Sequence, residues 1–389
     1  MRGLKGAQRK ADTALRRLEN AADDGECRSA SAAHWRRLAY LLSALLFHAV
    51  AQAVDLPAGT SPGSTTLAAQ TLSDELKSNR HPGITGFAYA LGDRAPILMA
   101  TTEVNKSGAD IRSATKSITA LLIGIAIDRG LLPSVEVKII DYLPEVRDLL
   151  LADPRKGQIT VQDLLSMRSG LDCNDWNRDS PGHEDTMYKK RDWLRFWAGQ
   201  RMHDVPGSAF SYCTGNAIAL GRILKHVTGM DADAFAQQAL FAPLEIAQPD
   251  WQRWNRGADV DTGGHLRLRP GDLLKIGQLL LKRGLSGEHR VVSGEWIEQM
   301  TMPRAEINGM QQRYGYFWWI DATHMPGLTS TRLWMAWGNG GTYIVVMPEL
   351  DAVATFTGTR FNKDDATEPL LWLRDRLLPG LRAAAPKRD

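Results

Sequence analysis

Strand-forming sequence occurs in two places in this chain, far apart. The first, Gly86–Thr102, reads as two strands around a Gly92-Asp93 turn. The second lies within 310–360, where Tyr314–Asp321, Leu333–Trp337, Thr342–Met347 and Ala352–Phe356 are separated by turn residues. Between the two groups the apolar spacing is helical, with helices expected near 160–166, 191–199, 215–228, 231–240, 270–283 and 293–300. Pro270 suits a first helical turn and Ser293 an N-cap. Helices are also expected over Thr66–Ser78 and at about 367–378. An early hairpin cannot bury a face by itself, so the two strand groups must share one sheet. The expected fold class is α/β of the α+β type: an antiparallel sheet built from both chain ends with flanking helices, plus a mostly helical lobe inserted at about 135–268.

The 389 residues are too many for one small core and too few for three domains, so one two-lobed unit over 66–380 is expected. Ahead of it, Arg36-Arg37 and the apolar run Leu38–Ala51 read as a secretory leader, with Ala51-Gln-Ala53 as a small-x-small cleavage site. Residues 1–53 are then leader and 54–65 linker, and the protein is exported, periplasmic or secreted. The basic stretch before the apolar run is unusually long, which leaves open a later start or a retained anchor. Without the leader, 38 basic and 39 acidic residues remain, so the basic balance of the whole chain belongs to the leader. No nucleic-acid partner, no anionic-membrane partner and no stable membrane span after leader removal are inferred.

Three cysteines are present. Cys27 lies in the leader, and an exported protein could pair the other two, Cys173 and Cys213, in a disulfide. There is no C-x-x-C or H-E-x-x-H, and the nine histidines are scattered, so no metal site is expected.

Chemistry gathers first at Ile111-Arg-Ser-Ala-Thr-Lys-Ser-Ile, which heads the apolar run Leu121–Ile127. Ser113 and Lys116 are three residues apart, nearly one helical turn, so the ammonium can reach the hydroxyl. A serine needs a partner to take its proton, and a lysine serves if a dry setting depresses its pKa. The helix start would also offer free N–H groups to an oxyanion. Taken alone, the pair reads as plainly as a capping serine and a solvated first-turn lysine. A second piece, Phe210-Ser-Tyr-Cys-Thr-Gly-Asn216, puts Tyr212 just before a helix, where its hydroxyl could shuttle a proton or simply be buried. The third, Trp337-Gly-Asn-Gly-Gly-Thr342, is a glycine-rich entry to an apolar strand, either a tight turn or a close approach for substrate. Tryptophans such as Trp318 and Trp319 read as core, and His183-Glu184-Asp185 as a solvated loop that could otherwise greet an amine.

Together these pieces resemble the serine β-lactamases and penicillin-binding proteins, in particular their class C-like branch. That pattern is S-x-x-K, then Y-x-N, then K-T-G or H-x-G. Ser113 and Lys116 match the first element and Tyr212 the second, with Thr214 in place of its asparagine. Asn339-Gly340-Gly341 stands where the third would be, without its cation. Leu171-Asp-Cys-Asn-Asp-Trp176, Ser180–Tyr188 and the Tyr-Cys-Thr-Gly-Asn form look most like the 6-aminohexanoate-oligomer hydrolases and related esterases. The resemblance implies a β-lactamase/transpeptidase-like fold over about 70–360 and an acyl-serine mechanism on a small amide or ester, with no cofactor. It implies Ser113, Lys116 and Tyr212 as catalytic residues and the N–H groups of Ser113 and Thr342 as the oxyanion hole. Asn339, Gly340, Gly341, Thr214 and Trp337 would contact substrate. Alternatives are a non-catalytic peptidoglycan-peptide or substrate sensor, or a weak β-lactamase or D,D-peptidase. With the cation missing at Asn339, carboxylate-bearing β-lactams are expected to be poor substrates.

Overall fold

The computed structural model describes residues 62–254, 259–307, 312–320 and 332–384. The leader and most of the expected linker lie outside them. The first described element is a helix, α1 (Pro62–Lys77), so the last residues expected to be linker are helical. Strands β1 (Ile84–Leu91) and β2 (Ile97–Ala100) form the early hairpin. The late group supplies β3 (Ala305–Glu306), β4 (Arg313–Tyr314), β5 (Trp319–Ile320), β6 (Trp334–Gly338), β7 (Thr342–Met347) and β8 (Ala352–Gly358). All eight join one antiparallel sheet in the order β3-β4-β5-β6-β7-β8-β1-β2, so the two ends of the chain meet where β8 pairs with β1.

Every residue of β7 and β8 is buried. Such continuous apolar runs belong to strands covered on both faces. Helix α4 (Pro270–Leu281) packs along β1, β7 and β8, and α1 packs on β1 and β2 together with the C-terminal helical segment. That segment runs over Glu368–Ala384, further than the expected 367–378. One strand expectation is corrected. Tyr314–Asp321 is not a single strand: β4 and β5 are two residues each and pair with each other across a turn at 315–318. Phe317 turns the chain there with φ +56°, and the Gly315 N–H donates to the Trp318 carbonyl at 2.8 Å.

The helical region between the two strand groups is organised around α2 (Thr115–Asp128), which is buried on every side from Thr115 to Ala126. A helix that is apolar all round belongs in a core. It packs against α3 (Thr214–Thr228), and a single 3-10 turn, Arg112–Ala114, leads into its N-terminus. Among the described residues no helix is long and apolar enough to cross a membrane.

Candidate active site

The turn Arg112–Ala114 delivers Ser113 half-buried at the head of α2. One turn along, the Lys116 ammonium donates to Ser113 Oγ at 3.2 Å and to the carbonyl of Gly263 at 2.8 Å. The segment 261–263 that supplies this carbonyl is itself anchored. The Thr119 hydroxyl donates to the Thr262 carbonyl, and the Thr262 hydroxyl to the Ala217 carbonyl, each at 2.7 Å. Tyr212 brings its hydroxyl to Ser113 as well. Its ring centroid lies 5.1 Å from Lys116 Nζ.

Tyr212 is held by a neighbouring loop through four links. Cys173 and Cys213 are joined by a disulfide, with Cα atoms 5.5 Å apart. The Ser211 hydroxyl donates to the Cys173 carbonyl at 2.6 Å, and the Asp175 N–H to the Tyr212 carbonyl at 2.8 Å. The Thr214 N–H, at the first turn of α3, donates to Asp175 Oδ2 at 2.6 Å.

That loop brings in carboxylates. Asp175 Oδ1 accepts the Glu184 N–H at 2.9 Å, and Glu184 Oε2 accepts the Thr214 hydroxyl at 2.7 Å. Thr214 is therefore wholly buried and orients two acids, which corrects its expected place as a substrate contact. Nor is His183-Glu184-Asp185 a solvated loop. It opens a short helix, Glu184–Met187, with His183 Nδ1 accepting the Asp185 N–H at 3.0 Å, and all three residues line the cavity in front of Ser113. A third acid, Asp261, is fully buried; its Oδ1 accepts the Gly263 N–H at 3.0 Å, and its Oδ2 has no hydrogen-bond partner among the described residues.

These acids correct the expectation that a dry setting depresses the Lys116 pKa. Burial does pull it down, but the negative charge of Tyr212, Glu184, Asp175 and Asp261 outweighs burial and raises it. Lys116 is held as an ammonium. Burial raises the Tyr212 pKa, and Lys116 and the Ser113 hydrogen bond oppose that rise. Asp175 is pushed up to about 6, first by burial and then by the Glu184 charge, against the pull of Lys116 and Thr214. Burial likewise pushes Asp261 up to about 6, against His265 and Lys116.

The hairpin β6–β7 closes the other side. Gly338, opposite Thr342, is the residue that touches the nucleophile turn: a Cβ there would lie 2.0 Å from the Ile111 carbonyl oxygen and 3.3 Å from Arg112 Cβ. Sequence reading marked Gly340 and Gly341 instead. Both adopt positive φ, near +95°, and they face Phe361 and Ala366 respectively rather than the cavity. Thr342 is fully buried at the start of β7. Trp337 does not line the cavity either; its ring lies 5.3 Å from that of Trp319 and 6.1 Å from that of Tyr343, within an aromatic layer. Asn339 does reach the cavity, and its side-chain amide bonds Asn362 at 2.8 Å.

The cavity holds about 350 Å³. Its exposed aromatic is Trp176, 49% accessible, whose ring stacks on Tyr212 at 5.4 Å and 9°. Trp176 and Asp175 belong to the stretch Leu171–Trp176 that carries the family resemblance, and the nearby Cys173 is a signal that this loop is tied to Tyr212. Asp261 carried no such signal.

The β-lactamase family model matches residues 105–376. The 6-aminohexanoate-dimer hydrolase of Paenarthrobacter ureafaciens is 22% identical over 200 residues, 49% of this chain and 50% of that protein. Penicillin-binding protein 4 of Amycolatopsis lactamdurans is 29% identical over 153 residues, 39% of this chain and 37% of that protein. The matches therefore span half or less of these relatives' length. The octameric penicillin-binding protein homologue of Pyrococcus abyssi superposes with a TM-score of 0.60 at 19% identity, covering 83% of this chain and 78% of that one, which shows the fold.

Proposed function

The chain belongs to the β-lactamase family, within the serine hydrolase superfamily, and from that premise we propose that it is an exported hydrolase cleaving small amides or esters through an acyl-serine intermediate. The observation that carries this reading is Lys116 Nζ at 3.2 Å from Ser113 Oγ, with the Tyr212 hydroxyl on the same oxygen. A nucleophile, a proton acceptor and a fixed cation then converge at the wall of one cavity.

In this reading Tyr212, rather than Lys116, accepts the serine proton. The Lys116 charge favours the phenolate, but burial keeps the Tyr212 pKa raised, so the pair must first lose a proton before Tyr212 can act as the base. Ser113 Oγ attacks the carbonyl carbon while its proton passes to Tyr212. The N–H groups of Ser113 and Thr342 take the oxyanion. When the tetrahedral intermediate collapses, the amine or alcohol leaves with the proton from Tyr212. A water molecule then gives a proton to Tyr212 and attacks the acyl-serine, and as that intermediate collapses to the acid Tyr212 returns the proton to the departing Ser113 Oγ.

For substrate class, the carboxylates of Asp175, Glu184 and Asp185 along the cavity favour a molecule bearing an ammonium group. The name of the Paenarthrobacter relative makes a 6-aminohexanoate dimer the first compound to try.

The test is labelling with a serine-reactive phosphonate, followed by mass mapping. Wild type should be modified at Ser113, and Ser113→Ala should be neither labelled nor active on the dimer or on short nitrophenyl esters. Lys116→Ala should lose about three orders of magnitude in kcat/KM, and Tyr212→Phe about two. An unlabelled wild type, or label persisting in Ser113→Ala, would overturn the reading.

A further inference from the structure

Arg112, the residue before the nucleophile, has an unusual conformation and an incompletely used side chain. Its φ is +50°, a region that is strained for a non-glycine residue and persists only where the surroundings impose it. Asp110 imposes it in part, since its Oδ1 accepts the Arg112 N–H at 2.9 Å. Gly338 does so from the other side, by packing flush on Ile111 and Arg112 Cβ. The turn therefore directs the arginine into the cavity wall next to Ser113.

There the guanidinium lies over the Phe361 ring, 4.5 Å from its centroid. Nε is 3.2 Å from Asp110 Oδ2, close enough for an ion pair but not aligned for a hydrogen bond. The same Asp110 oxygen meets His265 Nδ1 at 2.8 Å, and Asp110 holds the His265 pKa above its ordinary value. One carboxylate thus faces two cationic side chains whenever His265 is protonated. Among the described residues, the two terminal amino groups of Arg112 have no hydrogen-bond partner.

Asn362 is the neighbour of Phe361. Its N–H and Oδ1 are both engaged by Asn339, at 2.9 and 2.8 Å, and its Nδ2 has no acceptor among the described residues. Arg112, His265, Asn339 and Asn362 all line the cavity that holds Ser113. A positively charged corner with spare donors, beside a nucleophile, matches the planar oxygens of a carboxylate.

We propose that Arg112, assisted by Asn362, binds a carboxylate on the substrate and is a specificity-determining residue of this site. The proposal rests on the hydrolase reading above. It also revises the expectation drawn from Asn339: the cation missing from the third motif is supplied by the turn of the first. The acids Asp175, Glu184 and Asp185 and this corner together suit a molecule with an ammonium at one end and a carboxylate at the other.

Two matched substrate pairs test it. The carboxylate lies in the acyl part of 4-nitrophenyl hydrogen adipate and in the leaving group of 4-butyryloxybenzoate, and each is compared with its methyl ester. In at least one pair, wild type should prefer the acid over the ester by about tenfold in kcat/KM at low salt, and high salt should compress that ratio. Arg112→Gln should bring the ratio close to one, and Arg112→Lys should retain part of it. A wild-type ratio near one in both pairs, or a ratio that survives Arg112→Gln, would overturn the proposal. Calorimetric binding of monomethyl adipate against dimethyl adipate to Ser113→Ala, with and without Arg112→Gln, reads the same preference without turnover. Failure of phosphonate labelling is thereby distinguishable from failure of the carboxylate site.

Discussion

Two neighbouring regions of this protein are built on opposite terms. In β7 and β8 every residue is buried, most are apolar, and both faces of the sheet are covered. Such a region gains stability from many small contacts, and losing one costs the transfer energy of the atoms removed plus a term for the cavity they leave. Around Ser113 the buried groups are Lys116, Tyr212, Thr214 and Asp261, with Asp175 and Glu184 half-buried beside them. Each is held by another polar group. Removing one member there leaves a partner unpaired in a place where pairing matters most. The sheet therefore governs how stable the molecule is, and the polar cluster governs which protonation states its catalytic groups adopt. Gly338 is where the two regions touch.

Outside the catalytic residues, that contact gives the largest expected effect. Gly338→Ala would put a methyl group 2.0 Å from the Ile111 carbonyl oxygen, so the strand end or the nucleophile turn must move. A displacement near 1 Å at a reacting group costs about 100-fold, and kcat/KM should fall by that much. Ile344→Val, fully buried in β7, should do the reverse: a loss of roughly 0.5–1.5 kcal/mol in denaturant unfolding with kcat/KM unchanged. If Ile344→Val impairs turnover as much as Gly338→Ala does, the division between the two regions fails.

A smaller effect is expected from removing the disulfide. Cys173→Ser with Cys213→Ser should cost roughly 2–4 kcal/mol by the loop-closure estimate, measured by urea unfolding. Activity should fall less than stability, because Ser211, Asp175 and Thr214 still tie the two loops together through hydrogen bonds. Loss of activity without loss of stability would show that the bond serves the site alone.

The smallest effect is a shift in pH dependence. Lys116 and Tyr212 both have raised pKa values, so the pair must lose a proton to act, and kcat/KM should rise with pH through the alkaline range. Asp261→Asn removes one of the anions that hold the lysine proton, so this rise should move to lower pH. Stability carries its own sign. Burial pushes the folded pKa of Asp261 up to about 6, above the ordinary 3.8 of an aspartate, so the folded state binds that proton more tightly than the unfolded one. The resulting stabilisation is complete below the unfolded value and lost as pH rises toward 6. Relative to wild type, Asp261→Asn should therefore gain stability between pH 4 and pH 7, and a flat difference would remove Asp261 from the charge balance.

Much of the architecture was legible because it depends on local repeats. Helices α2, α3 and α4 and strands β1, β2, β6, β7 and β8 follow apolar periodicity and turn residues that lie within a few positions of each other. Where the pattern was ambiguous the reading slipped: Tyr314–Asp321 is apolar enough for one strand, but the left-handed Phe317 folds it into two. Ser113 and Lys116 were legible for the same local reason, since a separation of three residues sets their distance once the segment is helical.

The sequence by itself determined which segments become helix or strand, that the two strand groups share a sheet, and which serine and lysine meet. Only the tertiary structure decided the charge state of that lysine, the burial of Thr214, the part played by Gly338 and the placement of Arg112 beside the nucleophile. The reason is physical. Chain geometry over one turn is short-ranged and can be read from neighbours in sequence, whereas a pKa or a steric limit sums over whatever distant segments supply. Here these are Asp175, Glu184, Asp261 and the end of β6, drawn from parts of the chain that become neighbours only on folding.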